Sequence, residues 1–195
     1  MLKKMQLLEA IAPTNRGLLT DGSERLAILA MIAQLEDYNP NVRPLEVPEL
    51  LEGNWRLLYT SSRELLNLNN FPLLKLGQVY QWIRGNRIYN IAEFTSVIGL
   101  ASFVSVAASF VPTSEKRVSV QFERFISGLQ GLIGYQSPRQ FIEQIEMGRK
   151  FTAIDFSLPS REPSRQGWLD ITYLDNDLRI GRGNEGSVFV LTKAA

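Results

Sequence analysis

The spacing of apolar residues changes at Gly53, and this change constrains the fold more than any other feature of the chain. Before Gly53 apolar residues recur at helical spacing, and after it most segments alternate between apolar and polar residues. A period of two is typical of strands that bury one face. About nine strands favour a closed antiparallel barrel, because closure removes exposed edges. We expect strands near residues 53–61, 77–84, 87–97, 101–111, 116–127, 151–158, 167–174, 177–182 and 187–193.

Gly53 and Trp55 open the first of these strands. A glycine at a strand entrance permits a bend and a close approach of another segment, and a tryptophan two residues later lies on the same face. We therefore expect Trp55 to fill one end of the barrel. An arginine from a late strand that covers the indole ring would join the two ends of the chain.

Two helices are predicted before the barrel, over residues 2–12 and from Asp21 to about Tyr38. Asp21 and Glu24 have the spacing of a capping box. Asn39-Pro40 ends the second helix, since proline disfavours helix before itself. We expect residues 1–48 to form a helical element with a proline-rich connector, covering or gating a barrel of residues 49–195 in one structural unit.

Residues 128–150 interrupt the strand pattern. A glycine-rich apolar piece over 128–134 is followed by Ser137-Pro138, which is typical of a helix start. We expect a short helix to about Met147 and place this insertion over one mouth of the barrel. The Gly85-Asn86 pair predicts a two-residue hairpin between two antiparallel strands.

Composition excludes several function classes. The chain has no Cys and no His, which removes thiolate chemistry, the commonest metal ligands and the commonest general base. We therefore predict a protein that is not an enzyme, with no catalytic residue, no metal ligand and no cofactor. A net charge of +1 indicates no nucleic-acid partner. No signal peptide and no segment of ~20 apolar residues is recognised, so the chain is expected to be cytoplasmic or peripheral on a membrane.

Two motifs are interpreted as turns. The run from Gly181 to Gly186 has the spacing of a dinucleotide-binding fingerprint, but no helix is predicted after it. Asp170, Asp175 and Asp177 lack the spacing of a calcium loop. Glycine, Asp and Asn all favour turns, which accounts for both motifs.

The interior of the barrel is the candidate binding site. An eight-stranded closure either fills with side chains or leaves room for one small ligand, and the sequence leaves both open. Arg124 follows the same alternation as Phe122 and is predicted to anchor a polar headgroup, unless it lies past the rim in solvent. The predicted apolar lining comprises Trp55, Leu57, Tyr59, Val104, Val106, Phe110, Val120, Phe122 and Phe156.

Several segments resemble the plastid lipid-associated proteins, also called fibrillins or plastoglobulins, of cyanobacteria and plastids. The end of the chain is the most family-specific part. The resemblance is carried by residues 7–11, Asn15-Arg16-Gly17, Leu35-Glu36 with Asn39-Pro40, residues 50–61, residues 171–183 and residues 187–192.

The resemblance implies a lipocalin-like barrel in which Gly53-x-Trp55 is similar to the first lipocalin signature and Arg179 or Arg182 covers Trp55. It also implies peripheral association with thylakoid membranes or lipid droplets, and a part in photoprotection or in handling carotenoids and quinones. The absence of a transit peptide points to a cyanobacterial chain or a mature form.

Two functions from different classes follow. The first is a non-enzymatic carrier or structural protein that binds a carotenoid, quinone or acyl lipid. The alternative is a cavity-less interaction module that docks onto protein partners, namely membrane-associated enzymes or photosystem components. The apolar run within residues 129–133 motivates the alternative.

Overall fold

The computed structural model describes residues 2–67, 73–160, 162 and 166–194. The helices are α1 (Leu2–Ile11), α2 (Gly22–Glu36), α3 (Pro48–Leu51), α4 (Arg63–Asn67), α5 (Gln130–Ile133) and α6 (Pro138–Glu146). The strands are β1 (Gly53–Thr60), β2 (Leu74–Arg84), β3 (Arg87–Ser96), β4 (Ala101–Pro112), β5 (Arg117–Leu129), β6 (Ile154–Ser157), β7 (Gly167–Leu174), β8 (Leu178–Gly183) and β9 (Val188–Ala194). Short α3 and α4 were not predicted from the sequence.

The strands of the described residues form one antiparallel sheet in the order β4-β3-β2-β1-β9-β8-β7-β5-β6. Pairing of β4 with β5 closes this sheet into a ring. The first part of β5 pairs with β7, and its last part pairs with β6, which therefore lies outside the ring. The predicted class is confirmed: a mainly β protein whose antiparallel sheet closes on itself, with two helices before it.

The ring has a closed end and a mouth. The closed end holds the start of β1, the Gly85-Asn86 turn and α3, whose residues Leu50 and Leu51 join the interior apolar cluster with Trp55. The Gly85-Asn86 turn connects Arg84 and Arg87, which pair as the last residues of the predicted hairpin. The mouth is the opposite end, where β1 ends and β2 begins.

Helices α1 and α2 pack against the outer wall of the ring. Leu7, Ile28 and Ile32 form a buried cluster with Ile180 and Val190 from β8 and β9. The predicted capping box is present, since the Glu24 N–H donates to Asp21 at 2.8 Å and the Asp21 N–H donates to Glu24 at 3.1 Å. These helices therefore cover one side of the wall, and their contacts do not place them over either end.

The insertion also lies on the outer wall, which corrects its predicted place over a mouth. Phe141 and Ile142 of α6 are buried against Tyr89, Phe103 and Ile126, which face outward from β3, β4 and β5. The physical reason is the one-sided apolar face of α6, which finds a matching apolar patch on the wall. The Tyr135 hydroxyl adds a hydrogen bond to Glu93 at 2.8 Å.

A short segment before α2 fills a gap in the wall. Pairing of β1 with β2 stops at Arg56, and beyond it the Thr60 N–H donates to the Arg16 carbonyl at 3.1 Å. The Arg16 guanidinium donates to the Leu76 carbonyl of β2 at 2.9 Å. Asn15, Arg16 and Gly17 all have left-handed φ, at 46°, 63° and 98°. This backbone bridges two diverging strands.

Gly17 is expected to be the residue on which this bridge depends. A Cβ at Gly17 would lie 2.4 Å from the Thr60 carbonyl oxygen, whereas a Cβ at Gly99, which has a similar φ of 82°, meets nothing within 4 Å. Gly17→Ala should lower the free energy of unfolding by about 3 kcal/mol or more, and Gly99→Ala by about 1 to 2 kcal/mol. Urea unfolding measures both, and equal losses would show that the contact with Thr60 is unimportant.

Candidate functional site

The ring encloses a cavity of about 630 Å³. The cavity reaches the mouth, where Ser62 and Leu65 from the α4 region and Asn184 and Ser187 from the β8–β9 connection line it. Its volume lies within the range of about 300 to 1,000 Å³ that is typical of small-molecule sites. The sequence left open whether the interior is filled with side chains or holds a cavity. The structure has a cavity.

Two glycines of β8 help to keep the interior open. Leu178 and Ile180 face α1 and α2 on the outside, so Arg179, Gly181 and Gly183 face inward by alternation, and all three line the cavity. A Cβ at Gly181 would lie 3.2 Å from the Leu169 side chain. The predicted turn is present at Asn184–Gly186, but these two glycines belong to the strand before it and leave space inside.

Trp55 lies at the closed end with its side chain fully buried. Its indole N–H donates to the Leu51 carbonyl at 2.7 Å. The Arg179 guanidinium lies 5.0 Å from the ring centroid, and the Lys193 ammonium lies 5.3 Å from it. Gly53 has a φ of 122° at the entrance of β1. Of the two predicted arginines, Arg179 is the one that covers Trp55.

Arg182 instead faces outward and fastens helix α2 to the ring. Its guanidinium donates to the two carboxylate oxygens of Glu36 at 2.8 and 2.7 Å. The position follows from alternation, because Arg182 lies three residues after Arg179 and so on the other face of β8. This bidentate pair holds the C-terminal end of α2.

Arg179 is a charged side chain that β8 places deep in this cavity. Its side chain is 1 % exposed, and one guanidinium nitrogen, Nη2, donates to the Gln81 amide oxygen. The Gln81 amide nitrogen in turn donates to Asn90 at 2.8 Å. The other nitrogen, Nη1, has no hydrogen-bond partner among the described residues. Burial lowers the pKa of Arg179 to about 9, so the group remains a cation at neutral pH.

The Lys193 ammonium is a positive charge close enough to Arg179 to be affected by it. Burial and the neighbouring Arg179 charge lower the pKa of Lys193, whose ammonium donates to the Leu50 carbonyl at 2.9 Å. Within the described part of the chain, Arg179 makes no ion pair with a carboxylate. The site is therefore an apolar cavity with an uncompensated cation near its closed end.

Most predicted lining residues are found inside the ring. Leu57, Val106, Val120 and Phe122 line the cavity itself. Trp55, Val104 and Phe110 belong to the interior apolar cluster around it. Their position follows from simple alternation along β1, β4 and β5.

Tyr59 is placed on the other face of the sheet. It is buried among the residues of α1 and α2 and not in the cavity. The reason is a register shift in β1 between Leu57 and Tyr59, where a bulge adds one residue and reverses the alternation. The predicted interior position of Tyr59 is corrected accordingly.

The same kind of bulge moves Arg124 away from the interior. The register between β4 and β5 shifts between the pairs formed by Phe122 and Arg124. Arg124 then faces Asp155 of β6, to which it donates at 2.8 and 2.7 Å, and it also donates to the Arg149 carbonyl at 3.0 Å. Arg124 is thus part of an ion pair outside the cavity, and its predicted headgroup contact is corrected.

Phe156 also lies away from the cavity. It belongs to β6, which is outside the ring, and it is 49 % exposed. Its ring stacks on Phe125 at 5.2 Å between centroids. No pattern in the sequence indicates that β5 has two partners along one edge.

Sequence reasoning missed Gln81, Asn90 and the deep position of Arg179. A signal was present, since Gln81 shares a face with Ile83 and Asn90 shares a face with Ile88. Polar residues in phase with an apolar interior face are polar groups inside the ring. Gln81 and Asn90 could have been identified by noting the polar residues that interrupt the apolar face of each strand.

The fold and site define a closed antiparallel sheet that holds an apolar cavity and one buried cation. The PAP_fibrillin family model matches residues 1–192, and the chain belongs to this family. No solved structure matches the chain. In the described part of the chain, no helix has the length and apolar composition needed to span a bilayer.

Curated plant proteins are similar to nearly the whole chain. The Light-induced protein, chloroplastic, of Solanum tuberosum is 35 % identical over 98 % of this chain and 67 % of its own length. Plastid lipid-associated protein 1, chloroplastic, of Brassica campestris is 34 % identical over 97 % of the chain and 66 % of its own length. The Chromoplast-specific carotenoid-associated protein of Cucumis sativus is 33 % identical over 97 % and 67 %. The chain spans about two thirds of these relatives.

Arg179 and Arg182 are expected to affect stability in opposite directions. Arg179→Met should raise the free energy of unfolding by about 1 kcal/mol, because an apolar side chain replaces a buried cation that has no anionic partner. Arg182→Met should lower it by about 1 to 2 kcal/mol, since Glu36 loses its partner. Chemical denaturation of both variants measures this, and equal losses would mean that Arg179 is mainly a structural residue.

Proposed function

We propose that this protein is a non-enzymatic binder of one small apolar molecule, a carotenoid, a quinone or an acyl lipid, and that it associates peripherally with thylakoid membranes or lipid droplets. The observation that carries the proposal is the apolar cavity of about 630 Å³ inside the ring. A cavity lined by apolar side chains with a few convergent polar groups is typical of small-molecule sites. A role in photoprotection or in lipid handling accords with such a ligand.

Printed names of relatives support the class of ligand. One relative is named a carotenoid-associated protein, one a plastid lipid-associated protein, and one from Pisum sativum is named Plastoglobulin-1, chloroplastic. The absence of Cys and His from the sequence supports a binding function over catalysis. Lipid association is thus the common element of sequence, cavity and family.

Filling part of the cavity should weaken ligand binding without unfolding the protein. Val106 is half-buried in the cavity lining of β4, and Val111 on the same strand is 63 % exposed. Val106→Trp should weaken binding of a carotenoid, a quinone or a fatty acid by about tenfold or more, while Val111→Trp should not. Binding is measured by co-elution of the ligand in gel filtration.

Two results of this experiment would count against the proposal. If Val106→Trp binds every ligand that the unaltered protein binds with equal affinity, the cavity is not the binding site. If the unaltered protein binds none of the three ligands, the proposed function is wrong.

The mouth offers a surface for the lipid association. Leu73, Val97, Ile98 and Leu100 are 51 to 78 % exposed, and the Val97 N–H donates to the Leu73 carbonyl at 3.0 Å, so they lie together. They belong to the start of β2 and to the β3–β4 turn, which are at the mouth end of the antiparallel ring. We call these four residues the apolar rim. Contact of the rim with a lipid surface would let an apolar ligand enter without crossing water.

The apolar rim is expected to control lipid binding. The double variant Ile98→Ser, Leu100→Ser should reduce binding to phosphatidylcholine vesicles at least about tenfold, since each exposed side chain would otherwise leave water. A double variant Val42→Ser, Val111→Ser removes two similarly exposed residues elsewhere and should bind as the unaltered protein does. Vesicle flotation measures both. Equal flotation of the two double variants would show that the apolar rim is not the surface that binds the vesicles.

The docking alternative keeps part of its support. Leu132 in α5 is 68 % exposed, but Ile133 is buried against the wall. A protein partner at this insertion stays a prediction, and we rank it below the binding function because the interior holds a cavity.

A further inference from the structure

We infer that Arg179 anchors the terminal carboxylate of the ligand, so that the bound molecule is an acid with a long apolar chain, its carboxylate near Trp55 and its chain directed to the mouth. This inference rests on the proposed function and narrows its ligand. It assigns to Arg179 the headgroup contact that the sequence suggested for Arg124.

Burial of the Arg179 charge costs free energy. A buried cation is tolerated when it is paired with an anion and its donors are satisfied. Arg179 is 1 % exposed and makes no ion pair with any described carboxylate. Its Nη1 has no hydrogen-bond partner among the described residues, and the Lys193 ammonium adds a second positive charge 5.3 Å from the Trp55 ring centroid. The site therefore lacks an anion with an acceptor oxygen for Nη1.

Hydrogen bonds hold the Arg179 guanidinium in a defined direction. Nη2 is held by the amide oxygen of Gln81, whose amide nitrogen is fixed by Asn90 at 2.8 Å. Gln81 and Asn90 line the same cavity as Arg179. The hydrogen bond to Gln81 and the Trp55 ring, whose centroid lies 5.0 Å from the guanidinium, together restrict the orientation of this rigid planar group. The unpartnered Nη1 is thus held in place beside the cavity.

The cavity leaves space between Arg179 and the mouth. Gly181 and Gly183 follow Arg179 on the inner face of β8 and bring no side chain into the cavity. From Arg179 to Gly183 the strand rises roughly 13 Å toward the mouth. The cavity lining includes the apolar side chains of Leu57, Val120 and Phe189. An extended hydrocarbon chain fits this path better than a second polar group would.

The charge also ranks the candidate ligands. A hydrocarbon with no headgroup leaves Arg179 unpaired, and a neutral carbonyl or hydroxyl accepts a hydrogen bond without balancing the charge. A carboxylate does both, and a hydrogen bond between a guanidinium and a carboxylate is stronger than one between neutral groups. Long-chain fatty acids are the simplest members of this class.

The test compares headgroups on one chain. Palmitate, methyl palmitate and hexadecanol are titrated against the unaltered protein, against Arg179→Met and against Arg182→Met, below the concentrations at which the ligands aggregate. We expect palmitate to bind at least about tenfold more tightly than the ester and the alcohol. Arg179→Met should lose this preference and keep the ester. Arg182→Met changes the same residue type on the outer face and should keep it.

Each result has a defined meaning. Equal binding of palmitate, ester and alcohol by the unaltered protein would overturn the inference and leave the proposed function standing. Loss of the acid preference in Arg182→Met as well as in Arg179→Met would overturn it too, because the effect would then not depend on the cavity. Binding of none of the three would overturn the inference and also count against an acyl-lipid ligand. If Arg179→Met fails to fold, the headgroup comparison in the unaltered protein decides.

Discussion

Closure of the sheet through the pairing of β4 with β5 is the constraint on which the rest of the structure depends. An open sheet of this length would have one face for the interior cluster and no enclosed volume. Closure gives every strand an inner and an outer face, and the outer face then needs its own cover. Helices α1 and α2 cover one part of the wall, and the insertion with α6 covers another. The helices cover both outer apolar patches, and the inner face of the ring encloses the cavity.

The cavity and the buried arginine both lower stability, and the structure retains them. An empty space loses packing contacts, and an unpaired cation loses hydration. The two outer clusters and the fastening of α2 by Glu36 and Arg182 offset these costs. Features that cost free energy in the empty state are typical of sites prepared for a ligand.

Much of the fold could be predicted from the sequence. The change of period at Gly53, the Asp21–Glu24 capping box and the Gly85-Asn86 turn are local signals, and the structure contains all three. The positions of Leu57, Val106 and Val120 follow from alternation alone. The misplacement of Tyr59 and Arg124 follows from β-bulges, since one extra residue reverses every side chain after it. A bulge is set by the partner strand, so a single strand's pattern does not reveal it.

The position of the insertion was also beyond local reasoning. Its amphipathic helix needs an apolar surface, but the sequence does not say that Tyr89, Phe103 and Ile126 form one on the outside of the ring. The choice between Arg179 and Arg182 has the same character. Both lie in β8, and the choice depends on which face α2 occupies. The composition of the interior was therefore easier to predict than its polar anchor.

Native mass spectrometry of the protein purified from a pigment-containing host tests the central claim most directly, because it weighs protein and ligand together. We expect one apolar molecule per chain, released on denaturation and identified by the absorbance and mass of the extract. A folded protein that carries no such molecule, from a host that contains carotenoids, quinones and acyl lipids, would contradict it.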